Sequence, residues 1–270
     1  RDRLQFPWLQ PENRRDASGK RPNEPGYDKS TLLLPKDFPK CKDANGKPFT
    51  VSPGQAQWWR FKASHFDSVI MFKMGKFYEL FEMDAHVGAA DLGLMYMKGE
   101  QPHCGFPEKN YAANAERLAR AGHRVVIVEQ TETPAQLAER KAAGKTRDNV
   151  VMREKVAVLT RGTLVDPEMC EASPDAAYCV ATFDGGAVAT GEGAEDERWV
   201  GVCAADCATG RFLLGAWLDD AHLSGLRTAL ATLRPAEVVT TPGGPPPAIR
   251  RVLFYTLVPV RPRRRGERRS

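Results

Sequence analysis

Apolar residues along the chain fall into helical and alternating rhythms, and the first firm one begins at Ser52. There "SPGQ" offers a serine N-cap, a proline at the first helical position and a glutamine three residues past the cap. Ala56, Trp59, Ala63 and Phe66 follow at helical spacing, which predicts a helix. "DSVIMFKMGKFYELF" (67–81) is dense in β-branched and aromatic residues and breaks at Gly75, predicting two short strands. A short helix is expected over 82–91, closing near Gly93, then a brief strand at "LMYM" (94–97) and a loop at "KGEQPHCGFPEKN" (98–110). Tyr111, Ala115 and Leu118 form one stripe of a helix over 111–121 that Gly122 should stop. "RVVIVEQ" (124–130) is the clearest buried strand. "TPAQ" at Thr133 to Gln136 repeats the capping box, with Gly144 expected to end its helix, and "REKVAVLTRGTLVD" alternates and finishes a first domain.

"DPEMCEASPD" (166–175) reads as a linker. Beyond it, "AAYCVATFDGG", "RWVGVCAADCATGRFLLGAW", "DDAHLSGLRTALATLRP" and "AEVVTT" predict a strand, a hairpin turning at "CATG", a helix and a strand. That helix carries Leu223, Leu226, Leu230 and Leu233 at three and four spacing. This order suits a small α/β layer. "TPGGPPPAIRR" breaks the pattern before a final apolar strand. Residues 1–49, rich in Pro, Gly, Asn and Lys, show no sustained period and are expected to form an extended arm anchored by Trp8, Tyr27 and Leu32 to Leu34.

Composition changes this picture little. At 270 residues, 42% hydrophobic and 27% charged, the chain has material for two domains, and no apolar run approaches a membrane span. It opens on charged residues without an initiator Met, so a fragment is expected. The net charge of +5 sits in the last ten residues, "RPRRRGERRS", which hold six Arg and one Glu and leave 33 basic and 33 acidic residues before them. Within that neutral remainder, residues 140–161 carry seven Lys or Arg against two acids and could face phosphate. Residues 171–220 carry two against ten and should avoid it. The Arg-rich end over 259–270 reads as a solvated, disordered tail, with a nuclear-localisation or nonspecific DNA-binding role as the alternative.

Several apparent motifs dissolve on inspection. Cys41, Cys104, Cys170, Cys179, Cys203 and Cys207 show no C-x-x-C pair and read as reduced thiols, with no metal site expected. "GKT" at 144–146 lacks the glycine five residues earlier, where Glu139 stands, so no nucleotide loop is expected. Asp184, Asp206 and Asp219 could be imagined as a two-metal nuclease cluster, but turn and cap roles explain them more simply.

"KMGKFYELFEMDA" (73–85) raises a sharper question. Strand alternation puts Phe77 and Glu79 on one side and Lys76, Tyr78 and Leu80 on the other, so if Tyr78 and Leu80 face the core, the ring and the anion face out. On pattern alone this is an ordinary exposed pair on a half-buried strand. The alternative is a probe: an aromatic wedge with a hydrogen-bonding partner one pleat away.

"FDSVIMFKMGKFYELFEMDA", "LGLMYMKGEQPHCGFPE", "YAANAERLARAGHRVVIVEQTETP" and "REKVAVLTRGTLVD", in that order, resemble the mismatch-recognition domain of MutS proteins. The arm "RRDASGKRPNEPGYDKSTLLLPKDF" and the Lys in "GKFYE" resemble the eukaryotic MutS homologue six type, and 176–240 is similar to the RNase H-like connector domain. The resemblance implies an α/β fold in two domains: an arm over 1–49, a mixed-sheet mismatch-binding domain over 50–166, a connector over 175–258 and a basic tail over 259–270. It implies that Phe77 enters the minor groove and stacks on a mispaired base while Glu79 hydrogen-bonds that base. Lys76 and Met74 would flank the probe, Met97 and Lys98 would line the groove, and Phe106 and Pro107 would buttress it. It further implies nuclear double-stranded DNA with mismatches or small loops as ligand, and a MutS homologue two type subunit as heterodimer partner. The ATPase domain, with its ATP and Mg, lies elsewhere in the family's chains, so no catalysis and no cofactor are expected here. A metal-dependent nuclease and a protein-interaction scaffold remain as alternatives.

Overall fold

A computed structural model describes residues 6–38, 41–42, 48–99, 101–145, 149–164, 177–188, 197–240 and 244–257. The chain divides into two compact units, Arg1–Arg161 and Gly162–Ser270. The linker over 166–175 and the Arg-rich end lie outside the described residues, as does Cys170.

In the first unit, strands β1 (Cys41–Lys42) and β2 (Pro48–Phe49) pair antiparallel within the arm. Helix α1 (Pro53–Ser64) starts where the capping box requires: Ser52 accepts from the Gln55 N–H, and the Gln55 side chain accepts from the Ser52 N–H. Then come β3 (Val69–Met74), β4 (Phe77–Phe81), α2 (Glu82–Asp91), β5 (His103–Pro107), α3 (Tyr111–Arg120), β6 (Val125–Gln130), α4 (Pro134–Ala142) and β7 (Arg153–Leu159). The sheet order is β5-β4-β3-β6-β7, parallel between β3 and β6 and antiparallel elsewhere.

Both faces of this sheet are covered. On one, Ile70, Phe72, Phe81, Val126 and Val128 meet Trp58 and Trp59 of α1, and the arm adds Phe6, Trp8, Leu9 and Leu32. The Phe6 and Trp8 rings lie 5.0 and 5.4 Å from Trp59. On the other face α2 lies against Leu80 and Cys104 so closely that a Cβ at Gly88 would come within 2.9 Å of the Cys104 sulfur. Lys62 of α1 and Asp84 of α2 form a buried ion pair at 2.6 Å, and Asp84 also accepts from the Ile70 N–H.

Several local expectations are corrected. Leu94–Met97 is not a strand, while the segment read as a loop contains β5, because its residues complete the edge of the sheet beside β4. The arm is more than an extended tether: it holds a 3-10 turn at Pro7–Leu9 and the β1–β2 pair, and its Leu32 N–H and Ser30 carbonyl bond to Ala63 and Phe66. Of its expected anchors, Trp8 and Leu32 are buried, but Leu33 is exposed.

The second unit contains β8 (Tyr178–Val188), β9 (Glu197–Asp206), β10 (Arg211–Asp219), α5 (Ser224–Leu233), β11 (Glu237–Val239) and α6 (Pro247–Leu257). Its sheet runs β10-β9-β8-β11, an antiparallel meander with β11 parallel to β8. Val180, Val200, Val202 and Ala204 pack under Leu226 and Leu230 of α5 and Ile249, Val252 and Leu253 of α6. The last element is therefore a helix where a strand was expected: Pro247 opens it, and Ile249, Val252 and Leu253 share its inner stripe.

Candidate nucleic-acid interface

The β3–β4 hairpin turns through Gly75 and Lys76 between the paired Met74 and Phe77. Gly75 has φ +62°, a conformation that disfavours a side chain. The turn is tied on both sides: the Gly75 N–H donates to the Gln130 side chain at 2.9 Å, and the Glu108 N–H to the Lys76 carbonyl at 2.9 Å. Lys73 and Glu108 add an ion pair at 2.5 Å.

Beyond this braced turn the chain alternates as expected. Phe77 is 44% exposed and Tyr78 is 4% exposed. Tyr78 stacks with Phe106 at 5.9 Å and with Tyr111 at 5.3 Å, and the Lys73 ammonium lies over its ring at 4.6 Å. Its hydroxyl donates to Glu129, and burial pushes its ionisation far above the ordinary tyrosine range. Phe106 thus supports the buried neighbour, and Pro107 sits directly opposite Phe77 in the register.

Glu79 follows Phe77 on the same side, opposite Phe72 on β3 and Gly105 on β5. That side is not a bare solvent face, because Phe72 and Phe81 carry it into the core under α1. Phe77 and Glu79 occupy its less covered end, and Glu79 is half-buried. Burial pushes its carboxyl upward, opposed by His103 and Arg153. Among the described residues no donor hydrogen-bonds this carboxylate.

Gly105 explains how the group fits together. A Cβ there would meet the Tyr78 carbonyl at 2.9 Å, the Met97 methyl at 3.0 Å and the Glu79 Cγ at 3.1 Å. Met97, 38% exposed, thus shares the surface of Glu79. Met74 is half-buried, and its sulfur accepts from Arg153 at 3.1 Å. Lys76 and Lys98 are exposed, and their ammonium groups hydrogen-bond nothing among the described residues. The structure therefore gathers Phe77, Glu79, Met97 and Met74 on one side of the sheet and leaves the two lysines free toward solvent.

The basic stretch over 140–161 is largely engaged within the fold. Arg140 pairs with Glu132 at 2.7 Å, Lys141 donates to Asn149, and Arg161 donates to the Arg120 carbonyl. Arg153 is buried, which corrects the expectation that it faces phosphate. Lys145 and Lys155 remain exposed, and Arg147 lies outside the described residues. Gly144 closes α4 with φ +67°, a helix-ending role. Sequence reasoning missed Gln130, Glu108, Gly105 and Arg153. The available signals were polar residues ending a buried strand, a glycine inside "CGFP" and an arginine opening an alternating one.

The three carboxylates of the second unit do separate jobs. Asp184 pairs with Arg198 at 2.7 Å, Asp206 accepts from Ala208 and Thr209 in the β9–β10 turn, and Asp219 accepts from the Gly225 and Leu226 N–H groups at the start of α5. Among the described residues no three His, Cys, Asp or Glu converge to hold a metal. Cys104 sits on the side of β5 opposite His103 and Gly105, and burial pushes its thiol up to about 11.

A family model described as MutS domain I matches residues 52–168. The DNA mismatch repair protein MSH6 of Arabidopsis thaliana is 52% identical over 227 residues, covering 84% of this chain and 16% of its own. Msh6 of Homo sapiens is 38% identical over 243 residues, covering 87% and 17%. The MutS protein of Rhodopseudomonas palustris is 30% identical over 216 residues, covering 78% and 21%. The chain thus spans about a sixth to a fifth of the length of these relatives.

Proposed function

This chain belongs to the MutS family of DNA mismatch repair proteins, and from that premise we propose that its first unit recognises mispaired bases through Phe77 and Glu79. The observation that carries the proposal is the stance of Phe77: an aromatic ring 44% exposed, one residue past a turn braced from both sides, with a carboxylate one pleat behind it.

The energetics favour a test of pairing. A wedge entering the minor groove must unstack a base step at a cost of a few kcal/mol, least where pairing is already poor. Stacking on the ring returns about 1–3 kcal/mol. Paired DNA leaves the sum unfavourable, and mispaired DNA tips it. Glu79 sharpens the difference, because its charge is repelled by phosphate unless a displaced base donates to it or the acid carries a proton and donates. Its half-buried position supports the second route by raising its proton affinity. Met97 and Met74 add apolar surface to the same side, and Lys76 and Lys98 supply charge toward the backbone.

The chain performs no chemistry in this reading. ATP and magnesium act in the ATPase domain of full-length members, in the nucleus, with a MutS homologue two type subunit sharing the duplex. The second unit serves as the connector, an RNase H-like layer without nuclease activity. Its meander with a parallel fourth strand supports that reading, as do its three separately employed aspartates. A duplex with 2-aminopurine beside a G·T pair provides the test. Binding should raise its fluorescence by unstacking, Phe77→Ala should abolish the rise, and an equal rise with the variant would contradict the proposal.

A further inference from the structure

The hairpin that presents Phe77 and Glu79 rests on a buried cation. Arg153, 9% exposed, opens β7, and its guanidinium ties that strand to both β3 and α1. Nε donates to the Lys73 carbonyl at 2.7 Å, and one terminal nitrogen donates to the Met74 sulfur at 3.1 Å, so the two residues before the turn are held together. The other terminal nitrogen donates to the Gln57 side chain of α1 at 2.7 Å and, at 3.4 Å, to the Val151 carbonyl. The plane covers the Phe72 ring at 4.6 Å, and Phe72 is the cross-strand neighbour of Glu79.

Every one of these partners is neutral. Burying a charge without an ion-pair partner is costly, and a neutral brace could span the same gap. What the charge adds is a field at the probe. The titratable and charged groups that face Glu79 are His103 from β5 and Arg153 from β7, with the Cys104 thiol behind.

We infer that Arg153 is the positioning residue of the probe, clamping the β3–β4 hairpin to α1 and holding a fixed positive charge beside Glu79. The inference rests on the reading of Phe77 and Glu79 as a mismatch probe. Only an arginine does both jobs, because its planar fork offers five donors in fixed directions, whereas lysine keeps the charge but cannot bridge three elements.

The test pairs two readouts on the full chain. Without DNA, the Glu79 carboxyl is titrated by carbon NMR in the wild type, Arg153→Lys and Arg153→Gln. With DNA, the ratio of G·T to matched-duplex affinity is measured at fixed salt. Arg153→Gln should move the Glu79 midpoint upward. Arg153→Lys should leave the midpoint near that of the wild type yet lower the ratio about tenfold, the scale of one charge-assisted hydrogen bond. If Arg153→Gln does not fold, Arg153→Lys and Gln57→Ala carry the test, and Gln57→Ala should lower the ratio without moving the midpoint. An unmoved midpoint in Arg153→Gln, or equal loss on both duplexes with an unchanged ratio in Arg153→Lys and Gln57→Ala, would overturn the inference. A ratio indifferent to Phe77→Ala would instead sink the probe reading, and the titration would still report whether Arg153 sets the charge at Glu79.

Discussion

Phe77 and Tyr78 are neighbours in the chain and lie on opposite sides of β4, the first 44% and the second 4% exposed. One ring is spent on solvent and the other on the interior, stacked with Phe106 and with Tyr111. Their substitutions should therefore separate stability from recognition. Tyr78→Ala is expected to cost about 3–5 kcal/mol in denaturant unfolding, and Phe77→Ala about 1 kcal/mol or less.

Glu79 should act against matched DNA. Its carboxyl stays protonated to higher pH than a free glutamate of 4.5, since burial disfavours the charged form more than His103 and Arg153 favour it. The neutral acid therefore prevails below the raised value, and the charge appears as pH climbs through it. Glu79→Gln is expected to tighten matched-duplex binding at pH above that raised value and to remove the change in mismatch preference across this titration. Binding curves taken upward from pH 4.5 check both outcomes.

Gly105 leaves room for the side chains of Glu79 and Met97. Gly105→Ala places a methyl against the Tyr78 carbonyl at 2.9 Å, which is backbone and yields little. The variant is expected to lose about 1–3 kcal/mol of stability, the range for overpacking, and to lose mismatch preference beyond what that destabilisation explains. Thermal unfolding and paired binding measurements separate the two.

Lys62 and Asp84 form a buried pair in which burial pushes the carboxyl upward against the pull of the ammonium. Asp84→Ala leaves the lysine charge buried alone and is expected to cost about 3–5 kcal/mol, whereas Lys62→Met with Asp84→Leu removes both charges and should cost only about 1–3 kcal/mol, the cost of leaving the Ile70 N–H without its acceptor. Urea unfolding of the three proteins checks this.

What could be read in advance was what local chemistry decides. The capping boxes at Ser52 and Thr133 place α1 and α4 because their donors and acceptors lie within three residues. The alternation in β4 puts Phe77 outside and Tyr78 inside because a strand has a period of two. What escaped depended on distant partners. β5 hides in "HCGFP" because a glycine and a proline read as loop, yet the glycine is required by the approach of Met97 and Tyr78, and an edge position tolerates the proline. α6 reads as apolar strand until the spacing of Ile249, Val252 and Leu253 is set against α5. Arg153 looked like a phosphate contact because nothing in its neighbourhood tells that Lys73 and Gln57 wait for it some 80 to 96 residues earlier.

The central claim is that one exposed ring reports on base pairing, and the most direct measurement is the ratio of G·T to matched-duplex affinity for the intact protein at one salt concentration, with and without Phe77→Ala. A lost stack of about 1–3 kcal/mol corresponds to roughly a 5- to 150-fold fall in that ratio, with matched binding nearly unchanged. An equal loss on both duplexes, or an unchanged ratio, would contradict the claim.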